Sequence, residues 1–353
     1  MVQFNPQGWR TRLNGRQDLG LTALAPMQDI TDLPFMQIIA SYGSPDYFFT
    51  EYFRVYEHSS LDPVILRSIT ENDTGRPIFA QLIGGSIPDL VRIAKTLSQY
   101  PIAGVDLNMG CPAPRIYRKN VGGGLLRDPE KVDQILGALR QELDGLLTVK
   151  MRIGFEDTAH FERILNLIND HQIDLLSLHG RTVKDGYHSA IHYDCIAQAV
   201  KQVHCPVLAN GNVSSPVSAA VTLNQTGAAG VMIGRAAIRN PWIFKQVRQQ
   251  LSGQPISGVT LADVRDYIEK LRHTVITNTL AERSRVNYLK KYLNFIGQSV
   301  DAEGAFLFEM RHAQTEAALL GVCDRYFLSN PAQAFAPEPY PGIVARPSCE
   351  TAR

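Results

Sequence analysis

The sequence predicts an α/β protein, a TIM (β/α)8 barrel followed by a small helical domain. Eight short apolar runs alternate with segments of helical spacing, this alternation ends near residue 250, and helical patterns alone follow it. Eight βα units fit the ~250 residues typical of such a barrel. A doubly wound sheet is the competing architecture, but no GxGxxG motif follows the first run.

The eight apolar runs are the predicted strands. Continuous apolarity is typical of strands buried on both faces, as in a parallel sheet. The runs are Leu21–Ala25, Tyr47–Thr50, Ile78–Ile83, Gly104–Leu107, Leu147–Met151, Leu175–Leu178, Pro206–Ala209 and Gly230–Ile233. Helical spacing between them predicts helices over Asp89–Gln99, Pro129–Glu142 and Ala159–Asn169, the second of which starts at an Asp-Pro pair.

Four segments follow from these patterns. We expect an N-terminal extension over residues 1–20, the barrel over 21–250, a helical domain over 251–327 and a disordered, proline-rich tail over 328–353. The expected helices of the third segment are Leu261–Ile276, Ala281–Ile296 and Gly304–Leu320.

Composition limits the function classes. The 353 residues carry a net charge of +1, so any nucleic-acid surface must be a local patch. The five cysteines form no CxxC pair, which argues against a disulfide framework, and no metal site is expected. No run is long and apolar enough to cross a bilayer, and residues 1–20 lack the apolar core of a signal peptide. We therefore expect a cytoplasmic protein with no membrane partner.

Polar groups follow nearly every predicted strand. In strand order they are Pro26-Met27, Glu51, Gln81, Asn108 with Cys111, Lys150 with Arg152, His179 with Arg181, Asn210-Gly211 and Gly234-Arg235. In a barrel these strand ends meet at one face, which is where active sites lie. The pairs after the last two strands are placed where barrels bind phosphate, and Lys150 could stabilise the negative charge of a reduced flavin. Together these groups predict an FMN site.

The same residues fall into ordered motifs. They are Leu24-Ala25-Pro26-Met27, Val105-Asp106-Leu107-Asn108-Met109-Gly110-Cys111-Pro112, Gly122-Gly123-Gly124-Leu125-Leu126, Val149-Lys150-Met151-Arg152, His179-Gly180-Arg181-Thr182, Ala209-Asn210-Gly211 and Ile233-Gly234-Arg235. In sequence and order this set resembles the tRNA-dihydrouridine synthase family. The resemblance implies an FMN-bound barrel, a helical tRNA-binding domain, and reduction of a D-loop uridine of tRNA with NADPH or NADH as the reductant.

Site residues are carried over from this resemblance. It implies FMN contacts from Pro26, Met27, Gln28, Gln81, Lys150, Asn210, Gly211, Asn212, Gly234 and Arg235. Asn108 and His179 would line the flavin and substrate site, and Cys111 would be catalytic. Saturating the C5=C6 bond of uracil needs a hydride at C6 and a proton at C5. A thiol is mostly protonated at neutral pH and can give up its proton, so Cys111 suits the acid role.

Further residues are candidates for substrate contact. Glu51 lies at a strand end, and Arg152 and Arg181 could bind uracil carbonyls or a nearby phosphate. Basic residues near Cys111 could form a glycine-hinged lid that binds RNA phosphate; they are Arg115, Arg118 and Lys119. In the helical domain, cations beside Tyr288 and Tyr292 are typical of phosphate contact with stacking. They are Arg283, Arg285, Lys290 and Lys291.

The sequence leaves open the target uridine and two alternative functions. The segment Thr50-Glu51-Tyr52-Phe53-Arg54-Val55 and the pair Gly186-Tyr187 are more similar to the bacterial branch that reduces position 16 than to the one that reduces position 20. One alternative is an FMN-dependent reductase of a small pyrimidine, and another is a tRNA-binding barrel without catalysis. We expect a monomer.

Overall fold

The computed structural model describes residues 20–186, 189–275 and 280–345. The chain divides into two compact units. The first contains the residues up to Leu33, Pro45–Val213 and Val217–Ile233, and the second contains Pro34–Ser44, Ser214–Pro216 and the chain from Gly234 onward. The second unit therefore begins earlier than the boundary expected at residue 251.

The first unit is built on parallel strands, and all eight predicted strands are present. The strands are β1 (Leu21–Leu24), β2 (Phe48–Phe49), β3 (Phe53–Arg54), β4 (Ile78–Ile83), β5 (Gly104–Met109), β6 (Leu146–Arg152), β7 (Leu175–His179), β8 (Val207–Asn210) and β9 (Gly230–Ile233). Their order is β1-β9-β8-β7-β6-β5-β4-β2, with β3 also pairing with β4. A parallel bridge between Ala23 and Tyr47 joins β1 to β2 and closes the barrel.

Strands β2 and β3 are two parts of one barrel position, separated by a bulge. Phe49 pairs with Phe79, and Phe53 pairs with Leu82, so four steps along this strand match three steps along β4. The extra residue lies within residues 50–52. The Thr50 hydroxyl accepts the Gln81 backbone N–H at 3.0 Å, which compensates for the interrupted ladder.

The barrel interior changes character along the strands. Apolar side chains pack together near the strand starts, where Leu146 and Leu175 are the first residues of β6 and β7. Farther along, the buried residues include Gln81, Asp106 and Thr148. The apolar layer thus closes the start of the barrel, and the polar groups lie toward the carboxyl ends.

Fourteen α-helices lie within the described ranges. They are α1 (Leu33–Gly43), α2 (Pro63–Thr70), α3 (Ile87–Leu97), α4 (Pro114–Tyr117), α5 (Pro129–Glu142), α6 (Phe161–Asp170), α7 (Tyr193–Gln202), α8 (Pro216–Thr226), α9 (Arg235–Arg239), α10 (Ile243–Leu251), α11 (Leu261–Val275), α12 (Glu282–Ile296), α13 (Ala305–His312) and α14 (Glu316–Phe327). The predicted cap of α5 is present, since Asp128 Oδ1 accepts the Lys131 N–H at 3.0 Å. None of the helices in these ranges is long and apolar enough to cross a membrane.

The helix expected over Gly304–Leu320 is two helices, α13 and α14. Ala313 is extended and ends α13, and Thr315 accepts the Ala318 N–H at 3.2 Å as the N-cap of α14. A threonine hydroxyl that satisfies a free first-turn N–H favours a new helix start, which the apolar spacing did not reveal. Residue 276, the expected end of the helix that starts at Leu261, lies outside the described residues.

The tail expected to be disordered is instead packed onto the second unit as far as Ala345. Ala334 forms an antiparallel bridge with Thr260, and Phe335 is buried. The buried Arg239 donates to the Pro337 carbonyl at 3.3 Å. Aromatic burial and a satisfied cation outweigh the proline content that suggested disorder. Residues 1–19 and 346–353 lie outside the described ranges.

Candidate active site

A buried carboxylate lies at the centre of the barrel's polar layer. Asp106 on β5 is fully buried, and its two oxygens accept from Thr148 Oγ1 at 2.6 Å and Gln81 Nε2 at 2.7 Å. Burial raises the pKa of Asp106 to about 6, against the lowering effect of these two hydrogen bonds and of Lys150. Asp106 therefore remains largely a hydrogen-bond acceptor at neutral pH.

Asn108 connects this buried group to the loop that carries the cysteine. Its Nδ2 donates to Gln81 Oε1 at 2.9 Å, and its Oδ1 accepts from the backbone N–H groups of Gly110 and Cys111, each at 3.0 Å. Both polar ends of Gln81 are thus bound within the protein. Gln81 thus positions Asn108, and its predicted contact with the flavin stays a prediction.

Cys111 is half-buried beside a small apolar cluster. The buried members of this cluster are Tyr52, Ile83 and Ile116. Burial, followed by the proximity of Cys111, raises the pKa of Tyr52. The Cys111 carbonyl accepts the Gly123 N–H at 3.2 Å, so the glycine run lies directly against the cysteine loop.

Lys150 on β6 lies beside Asn210 on β8. Lys150 Nζ donates to Asn210 Oδ1 at 3.2 Å, and Asn210 Nδ2 donates to the Met232 carbonyl at 2.8 Å. Burial, and secondly the Arg152 guanidinium, lower the pKa of Lys150 to about 8. Lys150 is paired in register with Asn108 on the adjacent strand, so the ammonium and the cysteine loop extend from neighbouring strands.

The two arginines predicted for substrate contact bind loop carbonyls. Arg152 is buried and donates to the Gly110 carbonyl at 3.1 Å and the Thr182 carbonyl at 2.6 Å. Arg181 is also buried; its Nε donates to the Ser189 carbonyl at 2.9 Å. Both side chains brace the loops around the site.

Glu51 has a comparable supporting position. It is buried, and its carboxylate accepts the Ile30 N–H at 2.9 Å, in the loop that follows Pro26 and Met27. Burial raises the pKa of Glu51 to about 7, against hydrogen bonds from the Asp29 and Ile30 backbone. The side chain predicted to contact substrate therefore fixes the loop after β1.

The residues that follow β7 and β8 lie close together. A Cβ added at Gly211, whose φ is +126°, would lie 3.1 Å from His179 Cδ2, so this position needs glycine. Asn212 has a φ of +51° and accepts a 3.4 Å hydrogen bond from Arg181. In the same unit, Gln28 Oε1 is buried without a hydrogen-bond partner among the residues the structure describes.

The last predicted pair belongs to the second unit. Gly234 is the N-cap of the short helix α9, and Arg235 is its first residue. The remaining cofactor candidates, Pro26 and Met27, follow β1 and are half-buried. Across the described ranges, no three His, Cys, Asp or Glu side chains are grouped so as to bind a metal ion.

Comparison with known proteins agrees with this arrangement. A family model described as dihydrouridine synthase (Dus) matches residues 23–327. The tRNA-dihydrouridine synthase B of Xanthomonas axonopodis pv. citri is 32% identical over 313 residues, covering 86% of this chain and 92% of that protein. The probable tRNA-dihydrouridine synthase of Helicobacter pylori strain J99 is 34% identical over 239 residues, covering 66% of this chain and 71% of that protein.

This chain belongs to the dihydrouridine synthase family. It is therefore a flavin-dependent oxidoreductase, and the barrel predicted from its sequence is confirmed. Among solved structures, an old yellow enzyme homologue from Zymomonas mobilis aligns over 68% of this chain and 90% of that chain, with 13% identity and a TM-score of 0.45. A likeness that weak supports no argument about fold or function.

In this dihydrouridine synthase the glycine run is packed, which argues against a hinged lid. A Cβ at Gly123 would lie 2.5 Å from Val183 Cγ2, and one at Gly124 would lie 2.6 Å from the Tyr117 carbonyl oxygen. Neighbours this close leave little freedom for a hinge. The basic residues of this loop are nevertheless exposed, namely Arg115, Arg118 and Lys119.

The four predicted cations of α12 divide into two kinds. Arg285 is paired with Glu316 at 3.0 Å, and Lys290 donates to the Arg311 and Ala313 carbonyls at 2.9 and 2.6 Å. These two stabilise the helical unit. Arg283 is exposed, and Lys291 Nζ lies 4.4 Å from the centre of the Tyr288 ring.

Several residues of the site were missed by sequence reasoning. Asp106 was passed over, although it shares a strand face with Asn108 because the two are two residues apart. A second missed group is a cation–aromatic cluster at the barrel mouth: Arg127 lies 4.3 Å from the Phe155 ring centre and Lys184 lies 5.2 Å from that of Tyr117. No spacing signal joins these residues, since they come from three different loops.

Proposed function

We propose that this protein is a tRNA-dihydrouridine synthase that reduces the C5=C6 bond of a D-loop uridine, using FMN and NADPH or NADH. The observation that carries the proposal is the placement of Lys150 and the Cys111 loop at the ends of neighbouring strands in a chain of this family. The names of the relatives from Xanthomonas and Vibrio cholerae, both tRNA-dihydrouridine synthase B, support tRNA as the substrate.

The residues of the first unit fit a flavin. A half-buried ammonium of lowered pKa at Lys150 suits the electron-rich end of a reduced flavin ring. The unpartnered Oε1 of Gln28 can accept from a ring N–H. Gly211 remains a proposed FMN contact. We place Pro26, Met27 and His179 along the ring. Gln81, Asn210, Asn212, Gly234 and Arg235 remain proposed contacts of FMN.

The chemistry that bound FMN supplies is hydride transfer from its N5 to C6 of uracil. In our proposal Cys111 holds a proton at Sγ and releases it to C5 on the other side of the base. Asn108 positions the cysteine loop, and Arg152 and Arg181 brace the surrounding loops. The target uridine must leave its stack to reach these groups, which a flexible tRNA loop permits.

Cations of the cysteine loop and of α12 would contact the tRNA phosphates. We assign this role to Arg115, Arg118, Lys119, Arg283 and Lys291, and the role of tRNA-binding domain to residues 251–327. Position 16 remains the favoured target on the sequence similarity given above, although Tyr187 of that signature lies outside the described residues. We further propose a cytoplasmic monomer.

The decisive experiment incubates unmodified bulk tRNA with the protein, FMN and NADPH, then maps two-dalton mass gains by nucleoside and fragment mass spectrometry. We expect a gain at one D-loop uridine, and its position identifies the target. If the protein binds FMN and oxidises NADPH but leaves tRNA unchanged, the proposal is wrong and a small-pyrimidine reductase becomes the better hypothesis.

A further inference from the structure

We propose that Asp106 is a positioning residue that sets the direction of hydrogen bonding in the Asp106–Gln81–Asn108 network. Through that direction it fixes the backbone of Cys111. The inference about the reaction rests on the proposed function, whereas the positioning itself does not require it.

The direction follows from the chemistry of each group. An ionised carboxylate can only accept hydrogen bonds, so Gln81 must turn its Nε2 toward Asp106. Its Oε1 then faces Asn108, which must present Nδ2 in turn. A reversed amide would bring two oxygens to about the 2.7 Å that now separates donor from acceptor.

The far end of the network is the Cys111 loop. With Nδ2 committed to Gln81, the Oδ1 of Asn108 is the end that faces the loop, and it accepts from the N–H groups of Gly110 and Cys111. A reversed Asn108 would point a donor at two donors. The loop would then lose both hydrogen bonds that hold it at the strand end.

Solvent cannot substitute for these bonds. Asp106 and Gln81 are fully buried, and Asn108 is 7% exposed. The second oxygen of Asp106 is already bound to Thr148. Because the partners of these polar atoms are supplied by the fold, a change at one end of the network is transmitted to the other.

Two variants test the proposal. Asp106→Leu removes the acceptor and leaves the direction of both amides unset. The double variant Asp106→Asn with Gln81→Glu restores the direction of hydrogen bonding with a different pair of groups. The new amide at position 106 would donate to the new carboxylate at position 81, and that carboxylate would again accept from Asn108.

The measurements are the alkylation rate of Cys111, followed on its own peptide by mass spectrometry, and kcat on tRNA, both with excess FMN. We expect Asp106→Leu to raise the alkylation rate about tenfold and lower kcat by a similar factor, as loss of a buried hydrogen bond would. The double variant should return both values to within about threefold of the wild type.

Ser177→Ala is the matched control, because Ser177 is a buried polar residue of β7 whose Oγ has no hydrogen-bond partner among the described residues. Ser177→Ala should change neither the alkylation rate of Cys111 nor kcat. The proposal is overturned if folded Asp106→Leu alkylates at the wild-type rate, or if the double variant is no better than Asp106→Leu. If tRNA reduction itself fails in the wild type, the alkylation rates still decide the positioning role. If Asp106→Leu does not fold, the alkylation rate of the double variant decides that role.

Discussion

Cys111 and Lys150 are prepared for their proposed roles in different ways. The backbone of Cys111 is fixed by the side-chain oxygen of Asn108, so its position depends on hydrogen bonds. Lys150 is instead altered in acidity, because burial lowers its pKa to about 8. The role of Cys111 is therefore tested by substitution, and that of Lys150 by the pH dependence of binding.

Replacement of Cys111 by alanine should leave FMN bound and reduce turnover on tRNA at least about 100-fold, the lower range of general acid catalysis. Bound flavin is measured by absorbance and turnover by dihydrouridine formed. Cys195→Ala is the control, since Cys195 is a half-buried thiol on α7 and should keep full activity. Unchanged turnover in Cys111→Ala would remove the acid role.

The affinity for FMN should fall as the pH rises above about 8. Lys150 is charged below this pH and neutral above it, and an anionic ligand favours the charged form. The dissociation constant should therefore rise about tenfold per pH unit once Lys150 loses its proton. Fluorescence titration between pH 7 and 9.5 measures it. Lys150→Met should bind weakly with a flat profile, and a flat wild-type profile would contradict the assignment.

At the scale of elements, the glycine run and α12 show that charge and glycine content do not by themselves reveal what an element does. The glycines over Gly122–Arg127 allow tight packing against Cys111 and Val183. On α12, Lys290 bonds to carbonyl groups of the unit, whereas Arg283 is exposed. A substitution and a matched control variant therefore test each element separately.

Gly123→Ala should displace the Cys111 loop. The new methyl group would lie 2.5 Å from Val183 Cγ2 and 2.9 Å from the Cys111 carbonyl oxygen, so one of them must move. We expect a destabilisation of about 1–3 kcal/mol with a lower kcat. Gly145→Ala, where nothing lies within 4 Å of the added Cβ, should be neutral in both urea unfolding and turnover. Equal behaviour of the two variants would contradict this account.

Lys291→Ala with Arg283→Ala should weaken tRNA binding and leave the fold intact. Loss of two phosphate contacts should raise KM for tRNA several-fold and reduce its dependence on salt. Lys290→Ala should do the reverse, because Lys290 donates to the Arg311 and Ala313 carbonyls. It should lower Tm while KM changes little. A salt titration of KM and a thermal melt separate the two effects.

Continuous apolar runs predicted all eight strand positions of the barrel because burial on both faces leaves a strong sequence signal, whereas the short β3 beyond the bulge was not predicted. The division of α13 from α14 was missed, since one threonine cap decides it. The site residues at the strand ends stay predictions, and the carbonyl contacts of Arg152 and Arg181 could not be predicted. Their partners are backbone carbonyls from other loops, and a carbonyl leaves no trace in the sequence.

At the scale of the whole molecule, the second compact unit is completed by distant parts of the chain. The second unit takes Pro34–Ser44 from near the start and the tail from the end. Tyr42 packs edge-on against Trp242, with ring centres 4.7 Å apart. Removal of either segment should therefore affect the stability of this unit.

Phe335→Ala should lower the free energy of unfolding by about 3 kcal/mol, the cost of emptying a buried aromatic site. Phe335 is 7% exposed, and its N–H donates to the Val259 carbonyl at 2.8 Å. Tyr340→Ala is the control in the same tail, because Tyr340 is 39% exposed and should cost far less. Urea unfolding measures both. Equal, small losses would mean that the tail contributes little to stability.

Because of the bulge between β2 and β3, the number of residues in segment 50–52 sets the geometry of the site as much as their identity does. Along an even strand, Glu51 and Tyr52 would point to opposite faces. With one additional residue, Glu51 reaches the Ile30 N–H while Tyr52 lies in the cluster beside Cys111. A relative that is one residue shorter here would have an uninterrupted ladder and a differently arranged site. Alignments of the family should therefore treat a gap at this place as a change of site geometry.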